Sequence, residues 1–421
     1  MGRERQFMSK SVIVLGAGMV GVSIALHLRQ RGWDVALVDR RGPGEGASFG
    51  NAGLIQREAV HPHPFPRRLA EIARIAGNRS VDAVYHAGAL PGLAYPLLRY
   101  WWQSAPERYE AVARAYARLI VTCLDEHMVV AGEAGSAELL RPIGWMRLFN
   151  DDAKLEEARK EAEAAHRDYG VGYRMLDGKE LAAEEPHLLI QRKGALHWTD
   201  PYSVSDPHAL TLSYARLFEA KGGRLATGDA ASLRRAGQGW RVETADGPVE
   251  AAQAVIALGA AAGDLTRRFG YAPPLFGKRG YHYHFGMQGN AVLNHPFIDE
   301  ESGFCLVPMR AGIRLTTGAE FARPDAPETP VQLERAEPIA RRLLPLAEKV
   351  EDKPWMGTRP CTPDMLPIIG RIPGQDTLWG AFGHAHQGLT LGPTTGRLLA
   401  EMMDGEKPFI DPAPYRAERF R

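Results

Sequence analysis

Three cysteines in 421 residues, Cys123, Cys305 and Cys361, are too few and too scattered for a disulfide framework, and no C-x-x-C pair marks a structural zinc or a redox disulfide. They fit a reducing compartment. No sign of charge dominates either: 51 Lys and Arg face 50 Asp and Glu, which leaves no global field for nucleic acid or an anionic membrane. Any charged partner has to be held locally. No apolar run approaches the ~18 residues of a membrane span, and the run at 11–15 is too short for a signal-peptide core. The expected location is cytoplasmic, with peripheral contact at the inner face of a membrane left open.

Glycine is abundant, 45 residues where the usual share of about 7% would give roughly 30, and the excess is clustered. At this length two domains are the natural expectation. Residues 11–15 (Ser-Val-Ile-Val-Leu) read as a buried parallel strand, 19–31 as a helix with Val20, Ile24 and Leu28 on one side and Gly32 as its stop, and 34–39 as a second buried strand. This is a βαβ unit. Between its first strand and its helix stand Gly16, Gly18 and Gly21. They supply a tight corner, room for a pyrophosphate against the backbone, and close helix-to-strand packing. Free amides at the helix start, Met19 and Val20 among them, then hold phosphate. Asp39 ends the second strand, where a carboxylate accepts ribose hydroxyls, while Arg40 beside it keeps a 2′-phosphate open.

Residues 41–53 form a glycine-rich loop, and 63–135 look mainly helical, with Trp101 and Trp102 expected to pack inside. Further on, 144–149 alternate as a strand and 151–169 form a charged helix stopped by Gly170. A helix at 210–220, a strand at 223–227 and a hairpin at 240–247 lead to an apolar run at 254–259 that returns to the nucleotide sheet. Residues 280–285, 304–308 and 313–317 read as antiparallel strands, 331–343 as a helix, and 378–403 as a strand, a glycine-rich turn and a helix.

Three blocks go further. Gly46-Ala-Ser-Phe-Gly-Asn-Ala-Gly53, Gly357-Thr-Arg-Pro-Cys-Thr-Pro-Asp364 with Pro367-Ile-Ile-Gly370, and Gly383-His-Ala-His-Gln-Gly-Leu-Thr390 resemble signatures of the D-amino-acid oxidase (DAO) family of flavoproteins. The first block is most similar to the D-amino-acid dehydrogenase small-subunit group. The resemblance runs over nearly the whole chain and implies FAD. The fold class it implies is α/β plus α+β, a Rossmann-like FAD-binding domain interleaved with an antiparallel-sheet substrate domain. Residues 8–62, 201–270 and 349–416 are assigned to the first, and 63–200 and 271–348 to the second.

On this reading the cofactor residues are Gly16, Gly18, Met19, Val20, Gly21, Asp39, Arg40, Ser48, Asn51, Ala52, Gly53, Leu54, Ala257, Gly259, Gly383, His384, Gly388, Leu389 and Thr390. The amides of residues 388–390, placed at a helix N-terminus, would face the flavin N1/C2 carbonyl region. Sarcosine oxidases of the family carry a covalent cysteine seven residues before the T-P-D aspartate. Gly357 stands there, so noncovalent FAD is expected.

Arg359 is the substrate candidate, because a guanidinium clamps a carboxylate bidentately and the family's G-x-R-P position carries the substrate arginine. His386 matches a position where relatives can carry a second polar group near substrate. Where glycine oxidases have Tyr-x-Val-Pro this chain has Cys305-Leu-Val-Pro308, so Tyr281 or Tyr283 is expected to substitute. These tyrosines share one strand face, and His282 and His284 share the other. With no acidic or cysteine partner in sequence, that histidine pair is not read as a metal site, and no metal is expected.

The implied reaction is hydride transfer from the Cα of a D-amino acid, or an imino acid such as D-proline or D-hydroxyproline, to flavin N5, with electrons passed to a quinone or an electron-transfer protein. Alternatives left open are an oxygen-using oxidase of glycine-, sarcosine- or opine-type substrates, an NAD(P) dehydrogenase, and a flavin subunit that only relays electrons.

Overall fold

A computed structural model describes residues 10–421. The strand Ser11–Leu15 lies in the middle of a sheet and is apolar at every position after Ser11, with Val12 to Leu15 fully buried. Val12 and Val14 enter one core cluster, Ile13 and Leu15 another, so both faces of the sheet are covered. That explains a continuous apolar run where a half-exposed strand would alternate. Each such side chain stabilises the fold by roughly 1.5–3 kcal/mol.

This sheet runs in the order Val249–Ala251, Gly239–Thr244, Arg224–Ala236, Asp34–Asp39, Ser11–Leu15, Gln253–Ile256, Leu378–Phe382, Ile368–Arg371. Its central pairings, from Arg224–Ala236 across to Leu378–Phe382, are parallel, and antiparallel strands close both edges. The parallel strands end at Asp39, Leu15, Ile256 and Phe382, so Asp39 and the glycine turns at 16 and 383, with Ala257, meet at one edge. Carboxyl ends of parallel strands are where such sheets bind ligands. On one face the helix Met19–Gln30 packs against Gly392–Asp404. The contact requires glycine, since a Cβ on Gly396 would fall 2.7 Å from the Ser23 backbone.

A second sheet is antiparallel over most of its pairings and is centred on the long strand Phe276–Met287. Odd-numbered side chains of this strand, Tyr281 and Phe285 among them, pack with the helix Val331–Leu343. Even-numbered ones, Phe276, Lys278, His282 and His284, point to the opposite face. The strand Trp355–Cys361 falls within the segment assigned above to the nucleotide domain. It nevertheless pairs antiparallel with Phe276–Met287, Lys278 opposite Arg359 and Gly280 opposite Gly357. A three-stranded sheet, Leu54–Ile55, Tyr202–Val204 and Leu140–Arg141, bridges the two assigned segments.

The 63–135 region is helical at Leu69–Ala76, Leu90–Gln103, Pro106–Ile120 and Cys123–Glu133, with a short strand at Ala83–Tyr85. Trp102 departs from expectation: it is 50% exposed, with the Arg108 guanidinium stacked 3.9 Å above its ring. Among the described residues, no helix is long and apolar enough to cross a membrane.

Candidate active site

Gly16 adopts φ +104°, and a Cβ there would lie 2.5 Å from the Ala257 carbonyl oxygen. One on Gly21 would lie 1.8 Å from that of Gly16. The turn therefore exists only with glycine at these positions. The Ala17 amide donates to Asp39 Oδ2 at 2.8 Å and the Arg41 amide to Oδ1 at 3.1 Å, which fixes the carboxylate beside the turn with lone pairs to spare. The Met19 amide donates to Ser48 Oγ at 3.0 Å. Those of Val20 and Gly21 find no protein acceptor among the described residues. Two free amides at a helix start form an anion cradle. Arg40 is exposed beside it.

The loop carrying Ser48 to Leu54 is tied to the turn before the last helix. Asn51 Nδ2 donates to the His386 carbonyl at 3.3 Å and Thr390 Oγ1 to the Leu54 carbonyl at 3.2 Å. Asn51 Oδ1 accepts from the Gly53 amide at 2.8 Å, leaving Ala52 and Gly53 as a bare backbone ledge. Residues 388–390 form a turn, and the helix itself starts at Gly392. Their expected placement at the helix N-terminus is thus corrected by one turn, because Gly392-Pro393 is where helical geometry begins. The Gly388, Leu389 and Thr390 amides still donate to no protein acceptor among the described residues. His127 accounts for the position of this turn, pairing with the Leu389 carbonyl at 2.9 Å. His384 bonds Thr395 Oγ1 at 3.0 Å and is pushed down to about 3 by burial, so it stays neutral. Gly259 sits at φ +55°, three residues past the strand Gln253–Ile256 and two past Ala257.

Arg359 and Lys278 stand side by side on the second sheet, on the face turned away from the helix Val331–Leu343. Arg359 donates to the Gly318 and Thr317 carbonyls, the latter at 3.0 Å. Of five N–H donors, the remainder are free for a ligand. Lys278 Nζ lies 4.8 Å from the Tyr100 ring centroid and 5.8 Å from those of Phe276 and Phe321. Burial opposes its charge, but Tyr100 and Cys361 outweigh that and hold its pKa above the ordinary value. Burial, followed by His63 and then by the charges on Arg359 and Lys278, puts His386 well below the usual histidine range, so its imidazole is neutral. The His386 and His63 rings stand 5.7 Å apart.

Tyr281 and Tyr283 are not brought to this group. Tyr281 is buried with its hydroxyl 2.7 Å from Glu320 Oε2, and Tyr283 packs under Lys349, both on the far face of the strand. His282 stacks on Trp355 at 5.0 Å and His284 pairs with Glu351 and Arg314. Sequence reading missed Lys278, Tyr100, His127 and Arg314, whose guanidinium holds the Phe49 and Asn51 carbonyls. For the first, the available signal was a lysine at the even-numbered positions that carry His282 and His284 on the same strand, Phe276–Met287.

Comparison with known proteins identifies the family. The model of the DAO family, described as FAD dependent oxidoreductase, matches residues 11–402. The chain belongs to this family. It is 29% identical to a D-amino-acid oxidase of Bradyrhizobium diazoefficiens over 98% of this chain and 99% of that protein. It is 30% identical to a D-amino acid dehydrogenase of Paramagnetospirillum magneticum over 97% and 98%. Among solved structures, glycine oxidase from Geobacillus kaustophilus superposes with a TM-score of 0.74 at 22% identity, covering 96% of this chain and 97% of that one. Iminodiacetate oxidase from Chelativorans sp. BNC1 gives 0.72 at 22%, covering 96% and 98%. This DAO-family protein is therefore an FAD-dependent amino-acid oxidoreductase. The unpaired amides at both ends of the cradle and the glycines that clear its backbone fit the cofactor.

Proposed function

We propose that the chain oxidises a D-amino acid, or a cyclic imino acid of D configuration such as proline or hydroxyproline, at Cα and passes the electrons to a quinone or another acceptor other than oxygen. The observation that carries this reading is the pairing of Arg359 with Lys278 beside a neutral His386. Two adjacent cations in an aromatic wall recognise an amino-acid carboxylate, and the planar fork of Arg359 fixes its orientation. His386 is uncharged, and with its Nε2 paired to Gln387 Nε2 at 3.1 Å the ring sets a polar group beside the substrate amine without opposing it by a like charge. Holding the carboxylate and amine at once leaves a single Cα hydrogen directed at the cradle, and this positioning supplies most of the rate enhancement. Bound FAD supplies N5 as the acceptor of that hydride.

The relatives named D-amino-acid oxidase and D-amino acid dehydrogenase support the D configuration. FAD is held without a covalent bond on this account. The Trp355 indole fills the place where a residue-357 side chain would go, a Cβ on Gly357 lying 2.0 Å from Trp355 Cη2. The cofactor residues lie in 8–62, 201–270 and 349–416, of which residues 8 and 9 fall outside the described residues. The substrate wall draws on 63–200 and 271–348 together with the Arg359 strand. A quinone acceptor and peripheral membrane contact are supported by the exposed apolar side chains Leu69, Tyr95, Leu98 and Trp102, near Arg67, Arg99 and Arg108.

Turnover with D- and L-amino acids, both D-hydroxyproline epimers, glycine and sarcosine, assayed in parallel with a soluble quinone and with oxygen, tests the proposal. D-specific turnover with quinone and little peroxide is expected. Peroxide formed in step with substrate overturns the acceptor, and turnover confined to glycine or sarcosine overturns the substrate.

A further inference from the structure

On the edge of the second sheet that lies beyond the substrate wall, three side chains far apart in sequence converge. Glu184 ends the helix Gly178–Glu184, His197 lies on the strand Gly194–Trp198, and His295 lies two residues before the strand Phe297–Asp299. Their ligand-type atoms all lie within 4.8 Å of one another. Glu184 Oε2 is 3.9 Å from His197 Nδ1 and 3.9 Å from His295 Nε2. The two imidazole rings meet edge to face at 4.9 Å.

Each group is already oriented from behind. His197 uses Nε2 on the Ile143 carbonyl at 3.1 Å, which leaves Nδ1 facing Glu184. That Nδ1 is buried without a hydrogen-bond partner, on a side chain only 8% exposed. His295 uses Nδ1 on Glu185 Oε1 at 2.8 Å, and the same carboxylate accepts the His295 and Asn294 amides at 2.7 and 3.1 Å. Arg174 occupies Glu184 Oε1 at 2.6 Å and leaves Oε2 turned to the histidines. A metal-ligating histidine characteristically engages its other nitrogen with a carbonyl or carboxylate in this way.

We propose that Glu184, His197 and His295 form a binding site for a zinc-class divalent cation, outside the catalytic centre. Two imidazoles and one carboxylate suit Zn²⁺, Co²⁺ or Ni²⁺ and not Mg²⁺ or Ca²⁺. Tetrahedral ligands at about 2.0–2.2 Å stand roughly 3.3 Å apart, so the two separations of 3.9 Å to Glu184 must close by about 0.6 Å and the one between the histidines, which is within 4.8 Å, by about 1.5 Å at most. The side chains of Glu184 and His295 are 22% and 17% exposed, which gives the ion a path in and a position for water. A cation there joins the segment before Phe297 to the sheet edge, and its role is structural.

The test uses the full FAD-loaded protein after chelator dialysis, titrated with Co²⁺ and then Zn²⁺ and followed by absorption and calorimetry. Stoichiometric Co²⁺ binding with tetrahedral ligand-field bands, displaced by Zn²⁺, is expected. His295→Gln and Glu184→Gln should each weaken it by about 100-fold or more, and Glu185→Gln, which loses the carboxylate that orients His295, by roughly 10–100-fold. The flavin spectrum and turnover should stay unchanged in all three. Absence of these bands in the unmodified protein overturns the site, as does an unaltered affinity in the His295→Gln/Glu184→Gln double variant. Because the readout is metal binding, its failure leaves the proposed amino-acid oxidation standing, and the reverse also holds.

Discussion

Gly280 makes room for Arg359: a Cβ built on Gly280 would fall 2.6 Å from Arg359 Nη2 and 2.8 Å from its Cζ. The backbone around Gly280 is an ordinary strand paired to Gly357, so the missing side chain serves the guanidinium and not a turn. Gly280→Ala should leave the melting temperature and flavin spectrum close to those of the parent, since a flexible side-chain end can swing aside. It should raise KM for the amino acid by about tenfold, the worth of one misplaced charge-assisted hydrogen bond of roughly 1.5 kcal/mol.

Arg359→Lys keeps the charge and loses the fork. Steady-state kinetics should show kcat/KM lowered by roughly 10²-fold, a loss of about 3 kcal/mol, as two parallel bonds to one carboxylate become a point contact. Activity equal to the parent would remove the clamp.

Glu58 is buried, with Oε1 accepting from Trp145 Nε1 at 2.8 Å and Oε2 unpartnered. Burial pushes its carboxyl from 4.5 up to about 7. Below pH 4.5 folded and unfolded chains both carry the proton. Between 4.5 and 7 only the folded chain does, so stability falls as pH rises across that window and then levels off. Glu58→Gln should cancel this slope. Denaturant titrations at pH 5 and pH 8 should show the variant gaining on the parent by about 2.5 kcal/mol at the higher pH, since part of the loss already lies below pH 5.

Gly21→Ala places a methyl 1.8 Å from the Gly16 carbonyl oxygen, where backbone meets backbone and nothing flexible can yield. The variant should purify colourless or unfolded. Ser48→Ala removes the oxygen that orients the Met19 amide at the cradle, and flavin retention on dialysis should fall by about fivefold, one hydrogen bond of roughly 1 kcal/mol.

The nucleotide half was legible because its signals are local. A fully apolar strand, a positive-φ glycine and a helix stop lie within 32 residues, and the strand and helix appear at Ser11–Leu15 and Met19–Gln30. The helix Val331–Leu343 was equally readable despite its internal Pro338. What one sequence could not show is register. Lys278 meets Arg359 only through an antiparallel pairing across some eighty residues, and Tyr100 reaches Lys278 only because Leu90–Gln103 docks beside that strand. Alternation placed Tyr281 and Tyr283 together correctly, but which face met the substrate depended on where the helix Val331–Leu343 packs.

Anaerobic mixing of the purified yellow protein with a D-amino acid, followed by flavin absorbance, tests the Arg359 clamp and the D preference together. The parent should bleach with the D isomer and not with its L counterpart. Arg359→Ala should stay yellow at concentrations that saturate the parent. Bleaching of Arg359→Ala at the parent's apparent affinity would contradict the clamp, and bleaching of the parent by L-amino acids alone the D preference.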